Sequence, residues 1–304
     1  MLQIVLVGLG AGAAAALLFA SVVSGSIAAI FLFYLAPLPI LIAALGWSHL
    51  AGLIAAASAT AVIAVLSGVF FVAVPVIAFG AWWLGYLTLL ARPSANGGGT
   101  ALEWYPVGRL VLWGAVIGTL IVAAAVPHFG TDMASLQAAL RKMYERILTE
   151  KSLIDLLVVA VPPAAAVFST ITNLVNLWLA GRIVKISGRL PRPWPDVAAL
   201  TLPPAASGLL AWALAGSFLP DLVGALSGAL AASLLMAFAI LGFAVLHAIT
   251  RGLSSRPIVL AGTYAATFVV GWPVLLMSIL GLADTVLNIR GRVARKRGPP
   301  TLRT

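Results

Sequence analysis

Four hydrogen-bonding side chains, Ser169, Thr172, Asn173 and Asn176, stand at offsets of 3, 4 and 7 within a long apolar run. That spacing sets them on one face of a helix. Uncharged donors and acceptors in a row can line a ligand pocket or a polar path. They can equally join one helix to its neighbours, as Ser, Thr and Asn do in membrane bundles. The other polar residues offer less chemistry. His49, His128 and His247 are far apart and lack a spacing such as H-E-x-x-H, so no metal site is expected. Cysteine is absent, which removes disulfides, thiolate zinc sites and cysteine nucleophiles. There is no paired intramembrane carboxylate, no Walker A and no G-x-S-x-G, so the expectation is a non-enzymatic protein without a cofactor.

Two further groupings have structural readings. Ser152 and Asp155 form an S-x-x-D pattern expected to cap a helix start. Asp284 and Arg290 flank Asn288 where the last apolar run meets a basic tail, and Asp284 is expected to pair with a cation there or to serve as a docking carboxylate. Gly8, Gly12 and Ala16 repeat every four residues and flatten one helix face. Such a ridge permits close backbone approach, either inside the bundle or to a partner helix.

The elements that must carry these residues can be deduced from composition. The chain has 304 residues, 62% hydrophobic and 9% charged, with a mean hydropathy of +1.12. A soluble domain carries about 25% charged residues. Lipid must therefore be the solvent for most side chains, which defines an all-α, polytopic transmembrane bundle. Continuous apolar runs, without alternation, exclude a β-barrel. About nine spans are expected, near 4–20, 26–45, 48–67, 69–91, 107–127, 153–180, 198–218, 222–248 and 258–283. The first two could instead be one bent helix. The amino end lacks a basic leader region and is expected to be a retained first helix.

Two segments depart from the lipid pattern. Residues 92–106 contain three consecutive glycines and are expected to be a polar loop. In 132–151, Met133, Leu136, Leu140, Met143 and Ile147 recur at helical spacing, with Asp132 placed to cap the start. This predicts an amphipathic helix in the membrane interface. Prolines at 37, 39, 75, 162, 163, 203, 204 and 273 predict kinks or breaks.

The net charge of +10 sits in short loops and in the tail 290–304, so it predicts topology signals and phospholipid contacts and not nucleic acid. Nine simple passes from a cytoplasmic amino end put 8 basic residues inside, against 4 in loops outside plus 6 in the tail. Moving the tail inside gives 14 against 4, a strong positive-inside bias. A cytoplasmic tail then requires a change of parity. Either 258–283 enters and returns, turning near Gly271-Trp272-Pro273, or 222–248 is two short passes.

The stretch Leu35-Ala36-Pro37-Leu38-Pro39, the run Leu241-Gly242-Phe243-Ala244-Val245-Leu246-His247, and Leu280-Gly281-Leu282-Ala283-Asp284 followed by Arg290 resemble the YybS-like family of bacterial membrane proteins. The resemblance covers nearly the whole chain. It implies a bacterial inner-membrane location and a distant similarity to substrate-binding subunits of energy-coupling-factor vitamin transporters and to MreD-type cell-shape proteins. By that similarity, Gly8, Gly12 and Ala16 would dock on a membrane partner, and a pocket lined by Ser169, Thr172, Asn173 and Asn176 would favour the transporter-subunit reading. The alternative it implies is a structural scaffold in envelope assembly. The chain departs from those six-span subunits in its larger number of expected spans.

Overall fold

The computed structural model describes residues 1–67, 72–94, 102–130 and 132–297. Helices dominate: α1 (Leu2–Ala20), α2 (Ile27–Tyr34), α3 (Pro37–Gly46), α4 (His49–Ser67), α5 (Ala73–Leu89), α6 (Val107–Ala125), α7 (Met133–Tyr144), α8 (Lys151–Ile186), α9 (Ala205–Gly216), α10 (Asp221–Ile249), α11 (Arg256–Val270), α12 (Pro273–Leu287) and α13 (Ile289–Arg297). Six stretches are long and apolar enough to cross a membrane: 2–24, 27–46, 49–66, 107–128, 151–186 and 221–249. Many large apolar side chains point outward, among them Phe268, Trp212 and Leu17, as expected where lipid replaces water.

Neighbouring contacts fix the direction of each helix. Gly8 faces Ala51 and Ile54, and Gly12 faces Ala55 and Ser58, so α1 and α4 run parallel and start at the same end of the bundle. At that end Arg189 lies over the Trp47 ring, Arg192 reaches Thr88 and Tyr105, and Arg251 pairs with Asp196. The cations of 92–109, 182–192 and 251 therefore share one end, which we call the basic end. The apolar interior has two parts. One lies among α1, α3, α4 and α5 around Phe19, Ile40, Leu41 and Leu84; the other lies among α6, α9 and α10 around Leu210, Leu234, Phe238 and Leu241. Helix α8 packs against both.

The structure keeps the first two expected spans apart and revises several other expectations. The first two spans are separate helices: after a 3-10 turn at Ser21–Ser24, Gly25 takes a left-handed φ of 64° and Ser26 caps α2. The second span breaks at Leu35-Ala36, where Pro37 and Pro39 supply no N–H to the preceding turn. Residues 198–218 do not form one helix. A 3-10 turn at Val197–Ala199 leads into non-helical chain, and α9 begins only at Ala205, after Pro203-Pro204. The loop 92–106 contains an antiparallel strand pair, β1 (Ala91–Pro93) with β2 (Leu102–Trp104). Its glycines fall outside the described residues. A three-residue strand is too short for periodicity to reveal it.

At the end opposite the basic one, α7 is capped as expected. Ser135 N–H donates to Asp132 Oδ1 at 2.7 Å, and this bond holds the Asp132 carboxyl below its usual range. The helix stops at Tyr144, short of the expected 151, and gives way to a turn at 145–147 in which the Ile147 and Leu148 N–H groups both donate to the Tyr144 carbonyl. Leu136 and Leu140 pack on Val126, Ile154 and Val158, so the first turns of α8 are its platform. Asp155 ion-pairs with Arg141 and caps nothing; Glu150 precedes α8, and the Ser152 hydroxyl donates to it.

The carboxyl-terminal run 258–283 is two helices joined at Gly271, whose φ of 80° suits glycine alone among common residues. Helix α11 rises antiparallel to α10, with Tyr264 stacked on Phe243 and bonded to His247 at 2.9 Å. Helix α12 then descends parallel to α10. Ser278 donates to the Leu235 carbonyl at 2.8 Å, and Gly281, three residues on, lies against Phe238. The chain bends by 74° at Asn288 into α13. The hairpin thus enters and leaves at the basic end, the first of the two parity repairs.

Candidate functional site

The polar row on α8 divides in two. Asn173 and Asn176 are buried, at 2% and 1% exposure, while Ser169 and Thr172 are half-buried. Asn176 is a joint between helices. Its Nδ2 donates to the Tyr34 carbonyl at 2.9 Å and to the Thr172 carbonyl at 2.9 Å. The Tyr34 carbonyl is available because the α2–α3 break withdraws its regular helical partner. Thr170, which its position off the 169–176 stripe does not single out, sits on the buried face against Gly118 and donates to the Ala166 carbonyl.

Ser169, Thr172 and Asn173 instead line a cavity of about 180 Å³. Its other walls are Phe33, Tyr34 and Pro37 from the broken span, with Ala73, Ile77 and Ile121. Tyr34 is held edge-on to Phe33 and Phe168, at 5.6 and 4.7 Å, so the aromatic wall is rigid. Asn173 Nδ2 is buried and has no protein partner. A buried amide without a partner is costly, on the order of 1–3 kcal/mol. The cavity therefore presents uncharged donors and acceptors beside an aromatic face, with no ionisable group on its wall other than the Tyr34 phenol.

Gly8, Gly12 and Ala16 are buried under α4. A Cβ on Gly12 would run into the Ser58 hydroxyl and come within 2.8 Å of the Ala55 carbonyl. The ridge is used inside the bundle, and this is the alternative to partner docking that the sequence left open. Among the described residues, no group of three or more His, Asp or Glu could hold a metal.

Sequence reasoning missed a second cavity, of about 230 Å³, near the basic end. The segment 190–200 covers it, and Leu110, Leu174, Leu177, Trp178 and Ile240 form its apolar walls. Arg192 is on its lining and 9% exposed. Burial lowers the Arg192 pKa, but a guanidinium stays charged. Its only sequence signal is a basic residue in R-P-W-P, which reads as one more topology charge. A larger surface depression, about 380 Å³, lies by the strand pair, where Arg92 and Glu103 neutralise each other at 2.9 Å.

The arrangement defines a helical bundle with six stretches long and apolar enough to cross a membrane and, among the described residues, two half-open cavities beside α8. No family model matches this chain, and no curated protein or solved structure matches it.

Proposed function

We propose that the protein is a non-enzymatic, multi-pass membrane protein that binds a small uncharged molecule in the cavity between α8 and the broken α2–α3 span. The observation that carries this reading is the buried, unpartnered Asn173 amide on the cavity wall. A ligand carbonyl or hydroxyl would supply the missing acceptor, and Phe33 and Tyr34 would hold its apolar face. Broken helices at such a site are a recurring way to build binding sites in transporters. The reading keeps the similarity to transporter substrate-binding subunits and the YybS-like resemblance, with a bacterial inner-membrane location and the basic end in the cytoplasm. It does not use the first helix as a docking surface, because α4 covers that ridge. The MreD-like scaffold is the second reading, and a tightly packed polar row without a cavity would have favoured it.

The test is purification in mild detergent followed by metabolite mass spectrometry on wild type, Asn173→Leu and Asn176→Leu. A compound lost from Asn173→Leu, in protein of near wild-type stability, is the expected result. An identical small-molecule content in wild type and Asn173→Leu would overturn the reading.

A further inference from the structure

The segment between α8 and α9 carries an imbalance of charge. At the basic end, Glu103 pairs with Arg92, Asp196 with Arg251 and Asp284 with Arg290. Those pairs account for the carboxylates that the bundle brings there. Arg192 has no carboxylate within ion-pair distance among the described residues. Its two observed hydrogen bonds go to neutral carbonyls, Thr88 at 3.3 Å and Tyr105 at 2.8 Å. A guanidinium carries five N–H donors in a planar fork, so donors remain. Nearby, Arg182 and Lys185 lie over the Trp194 ring at 5.4 and 5.0 Å, cations packed on a π face and not on an anion.

The cavity beside Arg192 is otherwise apolar. Apart from Arg192, the polar side chain on its wall is Thr88, whose hydroxyl is already donated to the Leu84 carbonyl at 2.7 Å. The cavity reaches the flank of the bundle at Trp178, which is 55% exposed. A ligand entering there comes from the hydrocarbon side. It meets apolar lining, with the buried, unneutralised Arg192 on the wall.

We propose that this cavity is a binding site for an anionic phospholipid of the surrounding bilayer, with one acyl chain among Leu110, Leu174, Leu177 and Ile240 and the phosphate on Arg192. A phosphodiester matches the guanidinium fork in a bidentate pair. Its charge offsets the cost of a buried cation that lacks a partner. The chain buries apolar area that a free inorganic anion would leave empty. This site is separate from the Asn173 cavity and stands whether or not that one binds a solute.

The test places the full chain in nanodiscs of equal phosphatidylglycerol and phosphatidylcholine and counts lipids retained on release by native mass spectrometry. Both lipids offer Arg192 a phosphodiester, but the choline of phosphatidylcholine cancels its charge, so wild type is expected to retain phosphatidylglycerol in about tenfold preference, a difference of about 1.4 kcal/mol. Arg192→Gln should bring the ratio to that of the disc, and Arg192→Lys should fall between. Since Arg192 also ties down two carbonyls, Gly181→Leu gives an independent check. A Cβ there meets the Trp194 ring at an ordinary 3.6 Å, so a larger side chain at this lining position takes up cavity space while the Arg192 side chain is kept. Gly181→Leu is expected to lose retention with Arg192 intact. Retention at the disc ratio in wild type, unchanged preference in Gly181→Leu, or displacement of the lipid by millimolar inorganic phosphate would each overturn the proposal.

Discussion

Asn176 donates its side-chain amide to the Tyr34 carbonyl at 2.9 Å, closing a contact across 142 residues of chain. The two residues join the α2–α3 break to the middle of α8, and they sit next to the Asn173 cavity. Asn176→Leu should therefore lower thermal stability in detergent by on the order of 0.6 to 2 kcal/mol, the range seen for polar contacts between membrane helices. Asn173→Leu should cost less, since its amide has no protein bond to lose. Unfolding curves for the two variants check the order, and equal losses would place both residues in the same role.

Close helix approach gives a second expectation. Gly12→Leu should prevent α1 from reaching α4, and Gly242→Leu should separate α10 from the Met277 carbonyl of α12. Gly10 has open space where its Cβ would stand, so Gly10→Leu is the control and should express normally. Monodispersity in size-exclusion chromatography distinguishes the three. A monodisperse Gly12→Leu protein of full yield would show that α1 does not depend on this contact.

Sidedness can be measured directly. Cysteines introduced at Gly252, Gly291 and Ser94 should react alike toward a membrane-impermeant reagent in intact cells, and opposite to a cysteine at Gln137 on α7. We expect protection for the first three and labelling at Gln137. A labelled Gly291 site beside a protected Gly252 site would break the hairpin topology of α11 and α12.

The paired carboxylate of the tail should be sensitive to one-sided removal. Asp284 and Arg290 are 5% and 17% exposed at their side chains and 2.8 Å apart. Arg290 also donates to the carbonyls of Ala198 and Leu200, at 3.0 and 2.9 Å, which belong to the non-helical chain before α9. Asp284→Ala strands that guanidinium and should cost roughly 3–5 kcal/mol. Loss of Asp284 and Arg290 together should cost less than the single change, read from a double-mutant cycle of melting temperatures.

Acid should act on Asp196. The Arg251 hydrogen bond, with the Ala198 N–H, holds its carboxyl below the usual range. A carboxylate depressed in the folded state contributes stability above its unfolded value, about 3.9, and loses it as pH falls through the folded value. Wild type should therefore lose more stability than Asp196→Asn does as pH falls below about 4. Parallel pH profiles for the two proteins would show that the exposed pair contributes nothing.

Much of the architecture could be read from the chain because lipid leaves so little freedom. An apolar run with few charges must become a helix, and the positions of Arg182, Arg189 and Arg251 mark where helices end. A turn near Gly271 was one of the two arrangements that the charge balance left open, and the chain does break there between α11 and α12. What the sequence could not show depends on contacts distant along the chain. Ser169, Thr172, Asn173 and Asn176 share one stripe, but only Tyr34, released by the Pro37 break, separates the joint from the cavity wall. Segment 198–204 is apolar enough to be mistaken for a helix. Two of its carbonyls, those of Ala198 and Leu200, are bonded without one because Arg290 reaches them, contacts across 92 and 90 residues. Arg192 looks like any other loop charge, and only its burial sets it apart.

The hairpin of α11 and α12 has a further consequence for how the molecule is made. Both of its arms leave by the end at which they entered, so no earlier segment depends on them for its orientation. On the proposed topology, which compartment each loop faces is decided once α10 has been threaded. On that topology the closing step is a docking event on the flank of that helix, set by how closely Gly242 and Gly281 let two backbones meet and fastened at its end by the Asp284–Arg290 pair. A chain cut after residue 255 should inherit the same orientation as the full one, with the flank of α10 bare.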